Sequence, residues 1–312
     1  MTLYKITKKQ LIHDIIVMLI LFAVLLLAGV IYLCIRSDSK WKPAPLTIKQ
    51  AEQFPDQPYL NPDGMTQEMR ILPPEGFSRV PVENDSFAAF LRGRAVYPHG
   101  TDIPVYDGTT QSALSVAAVY DMKVGAEGYQ QCADSVIRLF AEYLYESGRK
   151  DEIAFHLSNG FLCDYASWLK GKRVLAAGEF SCWLPGLPRK DSVQTLDNYL
   201  VTVMRYAGTL SLTDESKTIP ASEAHTGDFI CRGGTPGHVM LIVDEAADEN
   251  GNRCFLIGQG LIPSMSFHIV TNSDGTTPWF TEDELAADMI SLGSYYFKPE
   301  NLRRWNDGMI QK

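Results

Sequence analysis

The chain has 312 residues, 46% of them hydrophobic, with 28 Lys and Arg against 37 Asp and Glu for a formal charge of −9. That length can bury a sizeable core in one large domain. The acidic balance, with no basic run after the first few residues, argues against nucleic acid as a partner, because phosphate binding needs a basic face.

The first element is apolar. Ile15–Ile35 is 21 residues without a charge, and at about 1.5 Å per helical residue it spans roughly 30 Å, the thickness of a bilayer core. A buried core helix would show a polar stripe, and this one has none. The stretch predicts a membrane-spanning signal-anchor. Residues 1–14, with Lys5, Lys8 and Lys9, would be a cytoplasmic N-terminus and the rest would be extracytoplasmic. A cleaved signal peptide is the alternative, although no clear small-x-small site follows. Cys34 follows Leu33, where lipoprotein processing wants a small residue, so the simpler reading is a membrane-buried side chain.

Residues 36–85 hold eight of the 17 prolines. Proline fixes φ and removes a donor, so this stretch reads as an extended tether, with a short helix near Ile48–Phe54. Residues 86–305 read as one α+β domain and 306–312 as a tail.

Within that body, Ser86 caps a short helix to Arg92. Pro104–Gly108 reads as strand and turn, and Ser112–Met122 as a strand with Val116, Ala118 and Tyr120 on one face. After Gly125 and Gly128, Cys132 opens a strong helix, Ala133–Glu146. Val136, Leu139, Phe140, Tyr143 and Leu144 form its stripe, with Asp134 in the first turn and Gly148 beyond the end. Arg138 is spaced to pair with Asp134 or Glu142, as surface support. Ile153–Leu157 reads as a strand, Asp164–Leu169 as a short helix and Val174–Leu187 as a loop. Ser192–Gly208 is a helix with Leu196, Leu200, Val203, Met204 and Ala207 as its stripe, and Thr209–Ser222 a polar connection.

The segment Gly227–Gly260 then reads as a strand, a glycine-rich loop, a strand opening at His238, a turn at Asn250-Gly251 and a third strand ending at Gln259. Ser266–Val270 reads as a further strand. The glycines lack the Lys-Ser/Thr of a phosphate loop, so no nucleotide is expected. The acidic Asp244–Asn252 lacks calcium-loop spacing and reads as a solvated hairpin. Cys163–Cys182 and Cys231–Cys254 are disulfide options in an oxidising compartment, and free buried thiols are the other option. No paired Cys/His spacing suggests a metal and no cofactor is expected. His99, His156, His225 and His268 read as structural.

A thiol nucleophile needs a lowered pKa, a base in reach and a group to orient that base. Cys132 at a helix start, His238 at a strand mouth and Gln259 on the following strand supply those three roles. The backbone N–H of Cys132, with Tyr129 or Gln131, would stabilise an oxyanion. Gly234 and Gly237 would leave room for a substrate backbone. Taken singly, Cys132 is equally a small buried side chain, His238 a satisfied structural histidine and Gln259 a partner for backbone groups.

The order of these residues resembles the papain-like cell-wall amidohydrolases of the NlpC and CHAP types. The resemblance rests on Cys132 opening a helix, Gly227-Asp228, Gly237-His238-Val239 and Gln259. It implies an antiparallel sheet packed on a Cys-bearing helix and attack on a peptide or amide bond, in a cell-envelope peptide or glycopeptide. Gln131 stands where those families usually carry Asp, and His238 follows Cys132 by 106 positions, more than they normally use. A second resemblance covers most of the chain beyond the apolar segment. QCADSVIRLFAEYLY, YAGTLSL, GDFICRGGTPGHVMLIVD and the FLIGQG–IP–HIV run are similar to the bacterial family called domain of unknown function 4846, which implies no established activity. Gly260 stands where that family usually has a serine. The expected function is a membrane-anchored cysteine hydrolase; the other class of reading is an inert binding module on the same fold.

Overall fold

A computed structural model describes residues 8–306 except 38, 51–57, 114 and 274. Helix α1, Lys8–Ser37, is the one helix among the described residues long and apolar enough to cross a membrane, and no residue of Lys8–Leu33 is buried. Along the chain follow α2 (Gln67–Arg70), β1 (Phe77–Arg79), α3 (Phe87–Arg92), β2 (Ile103–Pro104), β3 (Thr110–Gln111) and β4 (Val116–Val119). Next come α4 (Cys132–Glu146), β5 (Ala154–His156), β6 (Leu162–Asp164), α5 (Tyr165–Leu169), β7 (Arg173–Ala177), β8 (Phe180–Leu184), α6 (Val193–Tyr206) and α7 (Thr209–Asp214). The C-terminal part comprises β9 (Ser216–Thr218), β10 (Phe229–Arg232), β11 (His238–Asp248), β12 (Arg253–Gln259), β13 (His268–Val270), β14 (Trp279–Thr281), α8 (Glu282–Ala286), β15 (Ile290–Leu292), β16 (Tyr295–Phe297) and β17 (Leu302–Trp305).

The chain is α+β around an antiparallel sheet with the order β4-β13-β12-β11-β10-β17-β9. The long strand β11 pairs with β10 through its first half and with β1 through its last residues, while β14 adds to β12. Alternation along a strand sends neighbours to opposite faces. Val239 and Leu241 of β11 and Leu256 of β12 meet Val136, Leu139 and Phe140 of α4 in the larger core. Met240, Ile242, Phe255 and Ile257 face a second core closed by Leu285, Ile290 and Phe297. A bulge between Ile242 and Asp244 shifts the register, so that Ala246 returns to the α4 side.

Four expectations change. The stretch read as a tether is built into the body: Ser39 is buried against Thr202, the Trp41 N–H bonds Asn198, Tyr59, Leu60 and Ile71 are core residues, and β1 pairs with β11. Its prolines bracket these short elements without preventing them. Val174–Leu187, read as a loop, is largely the hairpin β7–β8, with Ala177 opposite Phe180. Thr209–Ser222, read as a polar connection, contains α7 and β9. The acidic hairpin is solvated only from Asp248 to Asn252. Asp244 is fully buried, held 2.7 Å from Arg79 Nε and 2.6 Å from Arg92 Nε, and Glu245 pairs with Arg253 and His225. The helix suggested near Ile48–Phe54 and the tail fall largely outside the described residues. All five described cysteines outside α1 are unpaired, so neither disulfide option is formed.

Candidate active site

A cleft of about 590 Å3 lies between the start of α4, the end of α6 and the loop that enters β11. Tyr129, Gln131, Cys132, Asp134, Arg205, Gly234 and Gly237 all line it. The first turn of α4 is fixed from both ends. Asp134 Oδ2 accepts the Gln131 N–H at 3.0 Å, and the Ser135 hydroxyl donates to the Gln131 carbonyl at 2.8 Å. This seats Cys132 as the first helical residue, 7% exposed. Burial raises its thiol above the ordinary value, opposed by the N–H groups of Val239 and Ala133 directed at the sulfur. A helix start alone favours the thiolate; here desolvation outweighs it.

Asp134 is 5% exposed, and burial pushes its carboxyl up to about 8 against the pull of the Gln131 N–H. It is therefore neutral at pH 7, and its Oδ1 has no hydrogen-bond partner among the described residues. Its neighbour Arg138 is not surface support. Arg138 is buried, bonding Glu142 and Asp197 at 2.8 Å each and Gln130 at 3.1 Å, which ties α4 to α6.

His238 is assembled differently. Its Nε2 lies 2.7 Å from Gln259 Oε1, Gln259 Nε2 lies 3.3 Å from His268 Nε2, and His268 Nδ1 lies 3.1 Å from the Ser266 carbonyl oxygen. A carbonyl only accepts, so His268 carries its proton on Nδ1 and accepts the Gln259 amide N–H on Nε2. The Gln259 oxygen then faces His238 and accepts from Nε2–H, which leaves His238 Nδ1 with a lone pair. Burial lowers both imidazoles to about 4, so both are neutral at pH 7. The Tyr295 ring stacks on His238 with centroids 3.7 Å apart. Burial raises the Tyr295 hydroxyl, and the nearby Cys132 thiol raises it further, so thiol, phenol and imidazole share one neighbourhood.

The sequence reads His268 as structural and gives no sign that it reaches Gln259 or that Tyr295 stacks on His238. The only signal for His268 is a histidine alternating with Ile269 on a short strand; its role depends on β13 lying beside β12, which sequence order does not reveal.

Strand alternation separates the two halves of the site. His238, Gln259 and His268 share the face of Met240, Ile257 and Phe297, whereas Cys132 packs with Val239 and Cys231 on the α4 side. Among the described residues no hydrogen bond joins Cys132 to His238. Val239, one residue beyond His238 on β11, directs its N–H at the sulfur.

The glycines do not all leave room for a substrate. Gly234 has φ +110°, a conformation that favours glycine, and a Cβ there would meet nothing within 4 Å. A Cβ on Gly237 would collide with Thr209 and the Gly234 carbonyl, so Gly237 serves the packing of the loop on α7. Gly260 is equally confined: a Cβ would clash with Ser135 Oγ and stand 2.8 Å from the Gln131 carbonyl oxygen. The Ser135 hydroxyl thus takes up the space that a side chain at position 260 would need.

No curated protein and no solved structure matches the chain. The family model described as domain of unknown function (4846) matches residues 67–304, from α2 through most of β17 and including the whole cleft. The chain therefore belongs to the domain of unknown function 4846 family.

Proposed function

We propose that the chain is a membrane-tethered cysteine hydrolase of papain-like type that cleaves a peptide or amide bond in the cell envelope, with α1 as a signal-anchor and the body outside the cytoplasm. The observation that carries the reading is the 2.7 Å bond between His238 Nε2 and Gln259 Oε1. It fixes the tautomer in which Nδ1 is free to accept a proton. Cys132 gives its proton to that nitrogen and attacks the carbonyl carbon. The oxyanion is held by the Cys132 backbone N–H and, from the cleft wall, Gln131 or Tyr129. The protonated His238 then gives its proton to the leaving nitrogen, forming a thioester on Cys132. Water, deprotonated by the same imidazole, releases the acid and restores the thiol. The resting pair is neutral, thiol and imidazole, because burial disfavours both charged forms.

The activated ester p-nitrophenyl acetate tests this without knowledge of the natural substrate. Incubation with the wild-type chain should release p-nitrophenolate with acetylation at Cys132, detected by peptide mass. Cys132→Ala should abolish the adduct and His238→Ala should slow its formation by about 100-fold, the usual scale of general-base loss. An adduct formed equally fast without His238 removes the base from the mechanism.

A second reading is a binding module in which Cys132 is inert. It is favoured by the raised thiol pKa and by the separation of thiol and imidazole onto opposite sheet faces. It predicts no acetylation at Cys132 in the folded protein.

A further inference from the structure

Helix α1 meets the body near its C-terminal end. Every described residue of α1 up to Tyr32 is exposed, and Leu33 is half-buried. Leu33 lies two residues, or about 3 Å of helix, before the end of the uncharged stretch at Ile35. Beyond α1 the chain has almost no slack. Thr202 of α6 donates to the buried Ser39 hydroxyl at 3.0 Å, and the Trp41 N–H donates to Asn198 of α6 at 2.7 Å. With α1 in a bilayer, this face of α6 therefore stands at the level of the headgroups. Trp41 and the exposed Lys40 and Lys42 stand there too, aromatic and basic residues of the kind that gather at a membrane interface.

A cavity of about 370 Å3 fills the corner between α1 and the body. Leu33 walls it on one side, residues 174–176 of β7 and Tyr206 of α6 on others, and Tyr129 and Arg205 close it. Tyr129 and Arg205 also line the Cys132 cleft, so the two cavities share a wall. The Arg205 guanidinium lies 5.1 Å from the centre of the Tyr129 ring, is exposed, and makes no ion pair among the described residues. Glu127 is engaged elsewhere, its Oε1 accepting the Lys42 N–H at 3.2 Å, and Asp38, next to Ser39 in the chain, lies outside the described residues. An exposed guanidinium at headgroup depth, beside the apolar walls of α1 and β7, suits a phospholipid. The lipid brings a phosphate for Arg205 and acyl chains that follow α1 into the bilayer, whereas a free phosphate would leave the apolar walls against water.

We propose that this corner holds a phospholipid headgroup, its phosphate on Arg205 at the rim of the Cys132 cleft. The site rests on α1 remaining in the membrane and does not depend on the hydrolase reading.

The test is photocrosslinking of the full chain reconstituted in phosphatidylcholine vesicles, with p-benzoylphenylalanine replacing Ala176 in the cavity wall, or the exposed Ala177 if position 176 does not accept it. Irradiation should add the mass of one phosphatidylcholine to the β7 peptide. Arg205→Glu should lower that yield about tenfold, the scale of one lost charge-assisted hydrogen bond. Arg205→Gln substitutes if Arg205→Glu does not fold. Absence of a lipid adduct in the vesicle-embedded chain overturns the proposal. So does an adduct undiminished in a folded Arg205 variant, or one that added inorganic phosphate removes, which would assign the corner to a free anion. A lipid adduct on a chain that does not acetylate Cys132 would sink the hydrolase reading alone, and acetylation without the adduct would sink the lipid site alone.

Discussion

His238 and His268 are buried bases held at about 4, against 6.5 for an unperturbed imidazole. Between those values the unfolded chain binds protons that the folded chain refuses. Their contribution to stability is therefore fully present above pH 6.5 and is lost as pH falls toward 4. The loss is on the order of 3 kcal/mol for each residue. Asp134 works in the other direction: its folded carboxyl, at about 8 against 3.8, binds a proton that the unfolded one has released, so its burial costs stability as pH rises toward 8. Thermal melts from pH 7 to 4 should lose less stability in His268→Gln than in the wild type, because the variant lacks one of the two depressed imidazoles. An unchanged slope in the variant would mean that His268 titrates normally in the folded protein. The catalytic proposal needs the same neutral imidazoles, so the acid limb also reports whether the His238–Gln259–His268 chain exists in solution.

At the scale of elements, Asp244 is an ionic tie between the N-terminal segment and the sheet. Its carboxylate is fully buried at the β11 bulge and held by Arg79 of β1 and Arg92 of α3. Removing one partner of such a cluster leaves a charge without compensation, which costs about 3–5 kcal/mol. Asp244→Ala should lower the unfolding free energy by that amount in urea titrations, and Arg79→Ala and Arg92→Ala should not add to it. A loss under 1 kcal/mol, on the order of an exposed pair, would mean the cluster is open to water. The helices were readable because their signals are local. Ser86 caps as expected, and the stripes of α4 and α6 are buried apart from Ala207, which lies just past the end of α6. The hairpin β7–β8 was not readable: its residues are mostly half-exposed, so no alternation marks it, and only the two residues Gly178 and Glu179 form its turn. The helix α7 was missed because six residues, TLSLTD, rich in Ser and Thr, carry little helical preference.

At the scale of the molecule, an apolar helix in which no residue of Lys8–Leu33 is buried precedes a body with cores on both faces of one sheet. The chain should require detergent when intact and be soluble without it once residues 1–37 are removed, as sedimentation after extraction would show. A truncated body that still pellets would assign membrane affinity to the body itself. Sequence order brought Cys132, His238 and Gln259 together as a set, since each carries a local mark. It did not reveal which sheet face each occupies, because alternation is a property of strand register and not of the residues. The faces make the Cys132–His238 relation the central question. Iodoacetamide labelling of Cys132, read by peptide mass from pH 5 to 10 in wild type and His238→Ala, addresses it most directly. If the imidazole serves the thiol, Cys132 labels at neutral pH and His238→Ala slows labelling about tenfold or more there, with the two rates converging at high pH where the thiol ionises unaided. A Cys132 that labels only above pH 9, at the same rate in both proteins, would contradict the account.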